Sequence, residues 1–267
     1  IRCYNTDKGP AVFRLQEHTA RLFDSAKIYR MEIPFTPDQV NDAVLATIRA
    51  NSLKACYVRP VVFRGYESLG VDPTPCPVET VIAVWEWGQY LGAEALEQGV
   101  KVCTSSWNRV APNTVPFLAK AGGNYLNSQL VRMEANQNGF HEGIVLDSNG
   151  LVSEGSGENL FIVKGDTIFT PASHHSILPG ITRHTAMTIA RELGFTVEER
   201  GIPREFLYIA DEVFFTGTAA EITPIQSIDH IQIGNGKRGL ITEQIQRRYF
   251  ETINAQVEDT HDWLSFV

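Results

Sequence analysis

The chain is short of several things, and each shortage removes a class of answer. None of its 267 residues fall in a run approaching the roughly 18 to 20 consecutive apolar side chains of a membrane-crossing helix, and no charged-apolar-small leader opens it. Positive charge is scarce: the formal net charge of -8 argues against a binder of nucleic-acid phosphate backbones. The four cysteines, Cys3, Cys56, Cys76 and Cys103, are scattered without a C-x-x-C pair, so neither a zinc knuckle nor a disulfide framework is signalled and inert buried thiols are expected. Internal repeats and low-complexity tracts are missing. What remains is a globular, acidic chain whose 43% hydrophobic content suits one large domain or two modest ones. An enzyme of the cytoplasm is the default expectation. The chain opens Ile1-Arg2-Cys3-Tyr4, without an initiator Met and in what reads as the middle of a strand, so residues upstream are expected.

Periodicity gives the coarse order of elements. A strand over residues 11–15 leads into a helix over 16–30, and Thr36-Pro37-Asp38-Gln39 reads as an N-cap, a first-turn proline and a capping-box glutamine before a stripe of Val40, Ala43, Val44 and Ile48. Strands over 55–63 and 78–87 are rich in β-branched and aromatic residues. The glycines of 88–93 break the pattern, and a domain boundary is placed there. Beyond it come a strand at 100–105, a helix at 123–138, a meander of hairpins between 143 and 170, and a helix at 182–193 stopped by Gly194. A short helix at 204–210, a strand at 212–216 and a closing helix at 240–254 complete an α+β chain of segregated hairpins and helices.

Of seven lysines, six sit near turns or among polar neighbours, whereas Lys120 lies among small and apolar residues in Phe117-Leu118-Ala119-Lys120-Ala121-Gly122-Gly123-Asn124-Tyr125. Such a lysine either snorkels to water or is held away from it, and desolvation favours the neutral amine that attacks a carbonyl. Periodicity alone favours snorkelling. Three more segments bear on the choice. Glu154 precedes glycines that admit a planar ligand, although taken alone a glycine-rich bend with solvated acids is the better reading. Leu178-Pro179-Gly180-Ile181-Thr182 turns into a helix N-terminus, a phosphate site or simply a threonine cap. Thr216-Gly217-Thr218-Ala219-Ala220 after an apolar strand can form an anion nest. The G-x-G-x-x-G match at 234–239 is rejected as a dinucleotide site, because one remaining helix leaves no room for the rest of a βαβ unit, and it is read as a hairpin loop. His174-His175 lacks a third ligand at a recognisable spacing and is read as a polar loop.

Taken in order, the segments at 120–125, 154–161, 178–182 and 210–224 closely resemble the branched-chain amino acid aminotransferases among the fold-type IV pyridoxal-phosphate enzymes, over essentially the whole chain. The resemblance implies a small α/β domain over 1–89, a linker over 90–98, and a larger cofactor-binding pseudo-barrel of hairpins and helices over 99–267. It implies pyridoxal 5'-phosphate as cofactor, carried on Lys120 as a Schiff base, with Lys120 also shuttling the substrate proton. Glu154 would face the pyridine nitrogen and Tyr125 the phenolic oxygen. Arg21, Ile181, Thr182 and Thr218 would hold the phosphate, and Leu178 would pack on the ring. Tyr57 and Arg59 look like the segment that guards the substrate pocket, with Arg2, Trp87 and Tyr90 nearby and Thr218 and Ala219 completing it; an ion pair on a strand face is the plainer reading of Arg59. No metal is implied, and a homodimer or higher homo-oligomer is. The family's aromatic segment upstream of this start is not among these residues.

Overall fold

A computed structural model describes residues 1–88 and 94–267. In chain order its main elements are β1 (Arg2–Thr6), β2 (Gly9–Phe13), α1 (Leu15–Ile28), α2 (Pro37–Ala50), β3 (Cys56–Arg64), β4 (Val78–Trp85), α3 (Ala95–Gln98) and β5 (Val100–Thr104). There follow α4 (Tyr125–Gln137), β6 (Glu142–Leu146), β7 (Val152–Gly155), β8 (Asn159–Lys164), β9 (Thr167–Pro171), α5 (Ile181–Glu192) and β10 (Thr196–Arg200). The chain ends with β11 (Glu212–Gly217), β12 (Glu221–Ile228), β13 (Ile231–Gln232), α6 (Leu240–Ile253) and β14 (Leu264–Phe266). It divides into two units, Ile1–Trp87 with Glu251–Val267, and Gly88–Phe250.

The first unit is an antiparallel sheet in the order β14-β2-β1-β3-β4. Because alternate side chains point to opposite faces of a strand, Cys3, Cys56 and Val58 fall together and pack with Leu15, Val44 and Ile48 from the helices. The intervening residues Tyr57 and Arg59 fall on the other face. The capping box at α2 is formed: Gln39 N donates to Thr36 Oγ1 at 3.2 Å, and Thr36 N donates to Gln39 Oε1 at 2.8 Å. Residues 251–267, assigned to the second domain by the sequence, group with the first unit instead. The cause is β14, which pairs with β2, and Trp263, whose carbonyl accepts from Arg14 N and whose ring lies 4.8 Å from the Arg14 guanidinium.

The second unit is a mixed sheet in the order β10-β9-β8-β11-β12-β5-β6-β7, with β13 paired to β12. Hairpins join β6 to β7 and β8 to β9, as the meander reading expects. Within 143–170 the meander breaks only between these hairpins, since β7 ends the sheet and β8 lies between β9 and β11; outside it, β9 and β10, β12 and β5, and β5 and β6 run parallel. Parallel neighbours need a crossover, and α4 supplies it between β5 and β6 as α5 does between β9 and β10. Val102, Ile144, Leu160, Ile162 and Phe215 meet in its core. The run 234–239 does not close a hairpin; it links β13 to α6. Among the described residues no helix is long and apolar enough to cross a membrane.

Candidate active site

Glu154 is the last residue but one of β7, the terminal strand of the second sheet, after which the chain bends and re-enters the sheet interior as β8. Glycine is required at the bend, because a Cβ on Gly155 would stand 2.8 Å from Glu158 Oε2 and 2.9 Å from the Phe215 ring. The Glu154 carboxylate is buried and held from three sides. Asn159 Nδ2 and Leu178 N donate to its Oε2 at 3.0 and 3.1 Å, and Arg109 Nη2 lies 3.1 Å from Oε1. Burial pushes the carboxyl above the usual range; Arg109, the Leu178 N–H and the charge of Lys120 pull it back. Lys120 therefore acts electrostatically on Glu154 across the site.

Lys120 itself departs from expectation. It is exposed, not withdrawn from water. In its apolar neighbourhood only Ala119 is buried, while Leu118 and Tyr125 stand open at 53% and 40%, so the local hydrophobicity that suggested desolvation is not packed around the amine. What fixes the side chain is Tyr125: Lys120 Nζ donates to Tyr125 Oη at 2.7 Å and lies 5.4 Å from its ring centre. A single 3-10 turn, Gly122–Asn124, carries the chain from the lysine into α4 and brings the phenol back over it.

The turn after β9 delivers the third part. Leu178 is half-buried, and Ile181 and Thr182 are buried at the start of α5, where the helix dipole is positive. Thr218 and Ala219 lie in the turn between β11 and β12, half-buried. Two residues before Thr218, the Thr216 hydroxyl is buried and without a hydrogen-bond partner.

Of the remaining expected residues, Arg2, Arg21, Tyr57, Arg59 and Trp87 belong to the first unit, and Arg2, Tyr57 and Arg59 share a face of its sheet. Arg2 is in register with Tyr57, and Tyr57 with Trp85. The rings of Tyr57, Trp85 and Trp87 stand 5.0 to 6.1 Å apart, with the Arg59 guanidinium 5.7 Å from Tyr57 and 5.2 Å from Trp85. Arg59 thus stacks on aromatic rings. Arg21 lies on α1 within 3.4 Å of His18 Nδ1. Tyr90 lies outside the described residues.

Several residues of the second unit escaped the sequence reading. Arg109 is buried in the loop after β5, donating to Asn127 Oδ1 at 2.7 Å and to the carbonyls of Gly155 and Ser156 at 2.6 and 3.2 Å, besides its pair with Glu154. Glu158 is buried near Glu142; burial, then the Glu142 charge, push its carboxyl up to about 8. Glu142 in turn is met by Arg132 Nη1 at 2.6 Å. His175 closes a 3-10 turn, Ser173–His175, and is buried, with Nδ1 2.7 Å from Asp147 Oδ2 and its backbone carbonyl accepting from Ser153 Oγ at 2.7 Å.

An amine beside a phenol, a buried carboxylate with both oxygens held, and a helix N-terminus are groups that could hold a phosphate-bearing carbonyl cofactor. The family model of Amino-transferase class IV matches residues 4–228. The chain belongs to the class IV aminotransferases. Within them it is similar to the branched-chain-amino-acid aminotransferase of Escherichia coli (strain K12), 52% identical over 100% of this chain and 87% of that protein. The crystal structure of the Escherichia coli branched-chain enzyme covers 99% of this chain and 88% of its own at a TM-score of 0.97 and 52% identity. A second crystal structure, of a T.th. branched-chain aminotransferase with pyridoxamine 5'-phosphate, matches at a TM-score of 0.96 and 46% identity, over 100% of this chain and 87% of that one. The α+β, fold-type IV architecture and the enzyme class expected from the sequence both stand.

Proposed function

We propose that the chain transfers the amino group between branched-chain L-amino acids (leucine, isoleucine, valine) and 2-oxoglutarate, using pyridoxal 5'-phosphate. The observation that carries this reading is the Lys120 amine, hydrogen-bonded to Tyr125 and within electrostatic reach of the buried Glu154. The residues fit the cofactor: the Thr216 hydroxyl is a buried polar atom in want of a partner, and Glu154 Oε1 keeps acceptor capacity beyond Arg109. When bound, pyridoxal phosphate supplies an aldehyde to carry the amino group and a protonated ring to take up electrons as the Cα proton leaves.

The chain's own residues do the rest. Lys120 holds the cofactor and, as a free amine, moves the proton at the substrate Cα. Tyr125 orients that amine and donates toward the ring's phenolic oxygen. Glu154, whose charged form Arg109 and the Leu178 N–H favour against its burial, would keep a proton at the ring nitrogen. The start of α5 at Ile181 and Thr182, with Thr218 and Arg21, would hold the phosphate, and Leu178 would pack on the ring. Arg2, Tyr57, Arg59, Trp87, Tyr90 and Ala219 sort substrates: an aromatic wall accepts aliphatic side chains, and a guanidinium on its face accepts the distal carboxylate of glutamate. The work is done in the cytoplasm by a homodimer or larger homo-oligomer, a reading supported by the exposed stripe of Leu126, Leu130 and Met133 along α4. The test is an absorption spectrum of the purified protein before and after L-leucine and then 2-oxoglutarate. A visible-edge band that leucine bleaches, 2-oxoglutarate restores and Lys120→Ala abolishes is expected. A colourless protein that takes up no cofactor would refute it.

A further inference from the structure

Two parts of the cofactor site come from separate segments, the Glu154 carboxylate and the turn that leads into α5. Asn159 is the side chain that touches both. It opens β8, is buried, and uses both amide hydrogens: Nδ2 donates to Glu154 Oε2 at 3.0 Å and to Leu178 O at 2.9 Å. Leu178 N donates to the same Oε2 at 3.1 Å, closing a ring of three hydrogen bonds. A reversed amide would set its oxygen against two acceptors, so the network fixes the orientation. Asn159 Oδ1 lies so close to the Gly180 α-carbon that a Cβ at 180 would collide with it. With Oε2 engaged twice, Oε1 is the oxygen left with spare acceptor capacity beside Arg109.

We infer that Asn159 is a positioning residue for the cofactor. It fixes the rotation of the Glu154 carboxylate to the position of the α5 N-terminus, so that the partner of the ring nitrogen and the phosphate cradle move as one body. The inference rests on the function proposed above. Alanine at 159 leaves Oε2 with the Leu178 N–H alone, while aspartate sets a second carboxylate against it and drives Glu154 toward its protonated form. Gly180→Ala offers an independent route, since it removes no polar group and only displaces the amide.

The experiment compares the cofactor-loaded wild type with Asn159→Ala, Asn159→Asp and Gly180→Ala. It reads pyridoxal phosphate affinity by equilibrium dialysis, the pH at which the bound-cofactor spectrum changes, and kcat and KM for L-leucine. Asn159→Ala should weaken cofactor binding about ten- to a hundredfold. Asn159→Asp should displace the spectral transition by more than about one pH unit. Gly180→Ala should move both in the same directions by less, and in all three kcat should fall while KM stays within about threefold. Unchanged affinity and transition would overturn the inference. So would weaker binding with an unmoved transition, which is what a purely structural role gives. If Asn159→Ala does not fold, the other two variants decide. Absence of a Lys120-dependent band in the wild type would instead sink the functional reading itself.

Discussion

Replacing Arg109 by methionine isolates the buried charge pair beneath the site. The guanidinium is buried and engages Asn127, the carbonyls of Gly155 and Ser156, and Glu154 Oε1 at 3.1 Å. Breaking a buried pair from one side costs about 3 to 5 kcal/mol, because the remaining charge is left uncompensated. For a chain of this size that lowers Tm by roughly 6 to 20 °C. Glu154→Gln alone should cost less, about 1 to 2 kcal/mol, since Arg109 keeps its four other acceptors. The double variant Arg109→Met/Glu154→Gln removes both charges, so its loss should fall short of the sum of the singles by about 1 to 3 kcal/mol. Urea unfolding of the four proteins after exhaustive dialysis against cofactor-free buffer gives the cycle without ligand linkage. Additivity within about 0.5 kcal/mol would refute the claim that Arg109 is the counter-charge of Glu154.

Other outcomes follow from the same contacts. Glu158, pushed up to about 8, holds a proton in the folded chain that it releases in the unfolded one, so it contributes stability that is lost as pH rises toward 8. Glu158→Gln should flatten the decline of Tm between pH 5 and pH 8, which scanning calorimetry at stepped pH checks; an unaltered slope would contradict the assignment. Tyr125→Phe removes the 2.7 Å partner of Lys120 Nζ and should lower kcat about ten- to a hundredfold with a smaller change in KM, as steady-state kinetics would show. Chiral analysis of products from leucine and 2-oxoglutarate should find L-glutamate, and a clear preference for D-alanine as donor would move the chain to another branch of the class.

The sequence revealed elements whose signals are local. The capping box at Thr36 and the glycine stop at Gly194 are written within four residues of the helix ends they set, and both are formed. The segments around Lys120, Glu154, Leu178 and Thr218 said little singly, a snorkelling lysine and a solvated bend among them; it was their order along the chain that marked them out together. What escaped depends on distant partners. Arg109 sits in a loop with no periodicity, and its meaning comes from Asn127 and Glu154, far along the chain. Strand β12 carries Pro224 in its interior, and β10 is three-fifths charged, so each contradicts its own propensity and is held by ladders to neighbours that only the fold supplies. The burial expected at Lys120 failed for a related reason: apolar neighbours in sequence are not packed neighbours, and Leu118 faces outward.

The central claim is that one particular amine carries the cofactor. Borohydride reduction of the coloured protein, followed by proteolysis and mass spectrometry, tests it most directly. The account predicts a single phosphopyridoxyl adduct, on the peptide containing Lys120 and localised to that side chain. An adduct on any other of the chain's lysines, or none on a protein that has bound the cofactor, would contradict it.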